Sequence, residues 1–322
     1  MKYLKQSLLF LVGVYTIYFV TDLLIDDFTQ IKYATFNLPL EHIAIGFFIY
    51  MLSHAFRVLR LLLLYENSSL SIKSLFSAQI KANGVNLIIP FRMGEAYRLI
   101  AFKRYFGSYS NSFSILLCER FLDVILITSL LVLSIYISGI RLEILSNLMY
   151  LSLLILVVIF FIYFSLDEFL ILIHNIFVGK KTNNINLNIV KTSGKILTIL
   201  KKTKLIFSSK LLTCLSITLI IWVLEILVFY FLLSILDLSN FVILFLSISV
   251  ALSSLLPNGP AGYGGVQLAF YIVGLSFGID DLVLYSFVYN IYIFGSAILL
   301  AGLLFFVEFY RTSLGRNYES RG

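Results

Sequence analysis

The chain is poor in the residues that build disulfide-stapled, metal-bound or water-soluble proteins. It has two cysteines in 322 residues, Cys118 and Cys214, each in or beside an apolar run, which excludes a disulfide framework and leaves them as small packing residues. Its three histidines, His42, His54 and His174, are far apart and lack ligand spacing, so no metal or other cofactor is expected. Charged residues make up only 13%, too few to clothe a soluble surface. Proline occurs four times, and three of those prolines fall in two short segments.

What is present is hydrocarbon. The chain is 60% hydrophobic with a mean hydropathy of +0.98, and it carries several apolar runs able to cross roughly 30 Å of bilayer core. The predicted class is all-α: a polytopic transmembrane bundle of about eight spans plus a broken or re-entrant helical hairpin. Spans are read at about 7–25, 43–64, 111–137, 148–165, 211–235, 240–256, 261–278 and 282–308, with the broken segment at about 75–105. Lys2 and Lys5 precede the first run, but no small-residue cleavage site follows before Asp22, so that run reads as a retained span.

The net charge of +7 does not indicate nucleic acid, because the basic residues sit in the connections, where they set orientation. Their sidedness predicts a multi-pass protein of the cytoplasmic membrane with both termini cytoplasmic. The whole chain, 1–322, is then one integral domain containing a basic cytoplasmic segment at 179–210. From Gly179 to Lys210 there are eight lysines and no acid, with Ile189, Val190, Ile196, Leu197, Ile199 and Leu200 interleaved. Two readings fit it equally: a basic helix on the anionic inner leaflet, or a solvated loop.

Two interruptions stand out. The first, Asn83-Gly-Val-Asn86-Leu-Ile-Ile-Pro90-Phe-Arg92-Met-Gly94-Glu95-Ala-Tyr-Arg98, puts Asn, Pro, Gly and three charges into membrane-soluble sequence. The second is Pro257-Asn-Gly-Pro260-Ala-Gly262-Tyr-Gly264-Gly265-Val-Gln267. Broken backbone at membrane depth must be buried in protein or line water, and paired breaks point to a transporter's binding region. The two segments are expected to meet at a shared polar cavity. In each, Gly follows Pro by four residues (Pro90 and Gly94, Pro260 and Gly264), which is compatible with an ancient repeat as well as with chance.

Arg92, Glu95 and Arg98 recur every three residues, placing two guanidinium forks and one carboxylate on one stripe suited to phosphate. Interfacial snorkelling explains the same spacing. Glu119, Arg120 and Asp123 lie within about one turn, and intramembrane charges must face the bundle and pair. Arg57 and Arg60, one turn beyond His54, are natural counter-charges, and Glu225 beside Trp222 reads as a buried partner for one of the arginines or as a proton-coupling residue. Gly262, Gly264 and Gly265 open a helix amino terminus able to meet an anionic headgroup, or serve close packing.

These residues resemble the lysylphosphatidylglycerol synthase/flippase transmembrane-region family over nearly the whole chain. The likeness rests on His54-Ala-Phe-Arg57-Val-Leu-Arg60, Asn86 to Pro90 with Arg92, Gly94, Glu95 and Arg98, then Glu119-Arg120 with Asp123, and Pro257 to Gly265. Gln267 departs from the family pattern, which usually has Glu there, and the soluble aminoacyl-transfer domain has no counterpart after Glu308. The resemblance therefore implies lipid translocation, or assistance to a lipid-modifying partner, and argues against lysyl transfer.

The leading expectation is a flippase-like protein, a transporter and not an enzyme, that moves an anionic or glycosylated lipid between leaflets. Arg92, Glu95, Arg98 and Arg120 would form the headgroup site, supported by Arg57, Arg60, Asn86, Glu119, Asp123 and Glu225. Its partners are membrane lipids, and a homo-oligomer is compatible with this. The alternatives are an intramembrane transferase with Glu95 or Asp123 as general base, or a scaffold for a lipid-modifying enzyme or glycosyltransferase.

Overall fold

The computed structural model describes residues 38–65, 71–89, 94–138, 143–178, 184–234, 236, 238–254, 259, 262–279 and 282–319. These residues form nine helices and no strand. In chain order they are α1 (Leu40–Leu64), α2 (Ile72–Ile88), α3 (Gly94–Phe106), α4 (Tyr109–Ser138), α5 (Glu143–Val178), α6 (Asn184–Leu233), α7 (Asn240–Ser253), α8 (Gly265–Phe277) and α9 (Leu282–Glu319). Leu40–Leu64, Asn184–Leu233 and Leu282–Val307 are each long and apolar enough to cross a membrane. The predicted first span, together with Pro90, Arg92, Pro257 and Pro260, lies outside the described residues.

Sequence accounts for the helix ends and for the hydroxyls inside the bundle. Ser239 caps α7 by accepting from the Val242 amide at 3.4 Å. Gly278 ends α8 in the left-handed region at φ 64°, after which the Ile279 amide bonds back to the Gly274 carbonyl. Serines and threonines on apolar helices satisfy themselves locally: Thr218 donates to the Cys214 carbonyl at 2.7 Å and Thr128 to that of Val124 at 2.6 Å. A hydroxyl can thus sit in a membrane helix without a partner on another element.

The hub is α6, which packs against α1, α4, α5 and α7. Two hairpins of short helices flank it. In the first, α2 packs on α3; in the second, α7 packs on α8; and α9 contacts both α2 and α8. With 17, 13, 14 and 13 residues, these four helices reach only about 20–25 Å each, short of a full crossing. The first pair is the broken hairpin expected at 75–105. The second pair occupies the stretch read as two spans at 240–256 and 261–278, and its helices, Asn240–Ser253 and Gly265–Phe277, are shorter than that reading.

Three apolar clusters result among the described residues, two of them large. One gathers Leu61, Leu75, Phe102, Phe106, Ile115 and Leu122 from α1 to α4; the other gathers Leu131, Phe245, Leu246, Phe270 and Val273 around the second hairpin. The basic segment is helical from Asn184 to a kink at Lys210 (φ −134°, ψ 16°), and it packs on α4 and α5. Lys202 donates to Asn111 at 2.7 Å, Lys204 pairs with Asp167 at 2.7 Å, and Ser193 meets His174 at 2.9 Å. At the kink the Lys210 ammonium donates to the Leu63 carbonyl at 2.6 Å, one of the orphan acceptors at the end of α1.

Candidate functional site

Six side chains from three helices close a ring of alternating charge. Arg60 of α1 donates to Asp123 at 2.7 Å and to Glu119 at 3.0 Å, both on α4. Glu119 accepts from Arg98 of α3 at 2.6 Å, and Arg98 lies 3.8 Å from Glu95 one turn earlier. Glu95 pairs with Arg120 at 2.5 Å, and Arg120 returns to Asp123 at 3.7 Å. Periodicity builds half of this: Glu119 and Asp123, four apart, share a face of α4, while Glu95 and Arg98, three apart, share one of α3. A fourth pair stands beside the ring, where Glu225 of α6 accepts from Arg57 at 2.9 Å and from Ser53 at 2.8 Å.

Four arginines thus face four carboxylates. A charge at mid-span costs roughly 2.5–3.5 kcal/mol on insertion scales, so a neutral, mutually bonded cluster is the form in which these residues are tolerable. The buried half of the ring is held further by neutral groups. Thr218 accepts from Arg60 at 2.9 Å, Gln79 accepts from Arg98 at 3.0 Å, and the Trp222 indole donates to Asp123 at 3.4 Å. Exposure divides the ring: Arg60, Glu119 and Asp123 are at most 2% exposed, whereas Arg120 is 34% and Glu95 30%.

The ring borders a cavity of about 210 Å³ lined by Glu95, Arg98, Arg120 and Asp123 from the ring, and by side chains of α1, α2, α6 and α9. Its neutral polar lining comes from Tyr50, His54, Gln79, Asn83 and Asn86, with the Asn83 amide donating to the Tyr50 hydroxyl at 2.6 Å. Several buried polar atoms here have no hydrogen-bond partner among the described residues: both ring nitrogens of His54, Nε of Arg57 and Oδ1 of Asn86. Each such atom costs about 1–3 kcal/mol if left unsatisfied, so water or another polar group at this lining would stabilise it.

The glycines of the two breaks do different things. A Cβ on Gly94 would collide with the backbone and Cβ of Asn86, so α3 starts in direct backbone contact with the end of α2. Only glycine permits that approach. Gly262 and Gly264 instead have φ of 80° and 90°, a left-handed backbone preceding α8. Gln267 reaches back to accept the Gly264 amide at 2.8 Å, a cap that a glutamate would make equally well. This gives the departure from the family pattern a structural role that needs no negative charge.

Of the predicted site residues, the structure brings Arg57, Arg60, Asn86, Glu95, Arg98, Glu119, Arg120, Asp123 and Glu225 to one place. Gly262, Gly264 and Gly265 do not line the cavity, although Ser254, just before the second break, does. Sequence reasoning missed Gln79, Asn83, Tyr50, Ser53 and Thr218. A signal for two of them was present: Gln79 and Asn83 fall with the predicted Asn86 on the i, i+4, i+7 spacing of one helix face, a polar stripe in an otherwise apolar segment.

Residues 7–312 match the family described as the lysylphosphatidylglycerol synthase TM region. The chain belongs to that family. It is therefore a membrane protein of a family linked to lipid handling. No curated protein and no solved structure matches it.

Proposed function

We propose that this protein of the lysylphosphatidylglycerol synthase TM family translocates, or assists translocation of, an anionic or glycosylated lipid between leaflets of a bacterial or archaeal cytoplasmic membrane. The observation that carries the reading is the neutral charge ring beside a cavity whose buried polar atoms lack partners. A headgroup rich in hydroxyls would satisfy His54, Arg57 and Asn86, and the positive charge of Arg92 would offset its phosphate. Arg120, and Arg92 just ahead of α3, are the arginines assigned to the phosphate. Arg98 becomes a supporting residue, since its guanidinium is committed to Glu119 and Gln79. The sidedness of Lys and Arg in the connections supports cytoplasmic termini and a cytoplasmic 179–210 segment.

The test is reconstitution of the full chain in phosphatidylcholine vesicles doped with fluorescent phosphatidylglycerol, reading leaflet exchange by an impermeant quencher. Exchange above protein-free vesicles is expected, and Arg92→Lys, which keeps charge but loses the planar fork, should impair it at matched protein density. A covalently altered lipid would replace this reading with a transferase. Neither exchange nor product, in folded protein, would leave a scaffold.

A further inference from the structure

The Glu95–Arg120 pair lines two cavities of opposite character. On one side is the polar cavity described above. On the other is a groove of about 460 Å³ between α3 and α4 whose remaining lining is wholly apolar: Ala96, Leu99, Phe113, Leu116 and Leu117. A second space of about 430 Å³, lined also by Tyr109, Ser110, Thr198 and Ile199, shares Leu99 and Phe113 with it and reaches Lys195 in the basic segment. The two adjoining spaces thus carry a cation at each end, Arg120 and Lys195.

We propose that this pair is an exchangeable threshold, at which the phosphate of an anionic diacyl lipid displaces the Glu95 carboxylate from Arg120 while an acyl chain of the same lipid occupies the α3–α4 groove. The inference rests on the lipid-translocation reading of the adjoining cavity and assigns its entrance.

Three features single out this pair from the rest of the ring. It is the most exposed, so breaking it uncovers the least buried charge. Arg120 has five N–H donors but makes one short contact, to Glu95, and one long one, to Asp123 at 3.7 Å, which leaves its fork able to take a phosphate bidentately. Glu95 also has somewhere to go, because Arg98 stands 3.8 Å away on the same helix face. Replacing a carboxylate by a phosphate on one guanidinium leaves the charge balance at Arg120 nearly unchanged, so the exchange is reversible. The apolar groove commits the phosphate to a lipid source, since a free phosphate gains nothing from Leu99, Phe113 or Leu117.

The experiment uses the full chain in uncharged maltoside micelles doped with phosphatidylglycerol carrying a diazirine in mid-chain, followed by photolysis and peptide mapping. Adducts are expected on Ala96–Leu99 and Phe113–Leu117. The matching diazirine diacylglycerol, which lacks phosphate, should label there about tenfold less, the change given by losing roughly 1.4 kcal/mol of phosphate pairing. Arg120→Gln should bring phosphatidylglycerol down to the diacylglycerol level. Glu95→Gln, which removes the competing carboxylate, should raise its labelling about three- to tenfold.

Equal labelling by the two lipids in the unaltered protein overturns the proposal without relying on any variant. So does a fall in labelling on Glu95→Gln, the result expected if the pair only ties α3 to α4. The two readings also fail separately. Groove labelling without leaflet exchange removes translocation and keeps the threshold; exchange without groove labelling does the reverse.

Discussion

The α2–α3 and α7–α8 hairpins use one backbone device for two purposes. In both, a proline-containing segment separates two short helices in the sequence, and both pack on α9 through one helix. The first carries Gln79, Asn83, Asn86, Glu95 and Arg98 into the cavity, while the second sends Phe245, Phe270 and Val273 into an apolar core and has no charge on α7 or α8. A break by itself therefore does not make a binding site. It frees backbone from the helical pattern, and the side chains beside it determine whether that place becomes a polar pocket or a wall.

The largest expected effect lies on the polar side. Arg60 is 1% exposed and bridges Glu119 and Asp123, so Arg60→Met should leave two buried carboxylates short of a partner and destabilise the protein by about 3–5 kcal/mol. Thermal unfolding of detergent-purified protein measures it. If the triple change Arg60→Met, Glu119→Gln and Asp123→Asn is no more stable than Arg60→Met alone, pairing is not what holds these residues.

The glycines give the sharpest contrast between the hairpins. Gly94→Ala places a methyl against the Asn86 backbone and should cost about 1–3 kcal/mol, whereas Gly264→Ala meets no atom and pays only for its φ of 90°, about 1 kcal/mol. Stability measurements on the two variants side by side decide this, and a larger loss at Gly264 would mean that the second break is the more constrained. The smallest effect belongs to Gln267→Glu, which keeps the acceptor for the Gly264 amide and should change stability by less than about 0.5 kcal/mol. A clear loss would show that the buried amide nitrogen of Gln267 has a role of its own.

The bundle was legible because apolar runs of fixed length leave few alternatives. Span ends were less so. The fourth predicted span stopped at 165, before Asp167 and Glu168, but α5 continues to Val178 because Asp167 pairs with Lys204 and His174 meets Ser193 on the packed basic helix. At the site, the demand that buried charges pair made Arg57 and Arg60 readable as counter-charges to the acids. Which arginine met which acid was not readable. Arg98 shares a stripe with Glu95, which argues for a phosphate ligand, yet α3 is set against α4 so that it bonds Glu119. Periodicity fixes the face a residue occupies; the neighbour on that face is set by packing between helices distant in sequence.

The lone tryptophan has an experimental consequence. Trp222 lines the polar cavity, donates its indole N–H to Asp123 and lies 6.0 Å beneath the Arg57 guanidinium. Because the chain has no other indole, its ultraviolet emission is a single-site optical probe of this chamber, read without any label. Hydration of the chamber would move that emission to longer wavelength, and a drier occupant would move it to shorter wavelength.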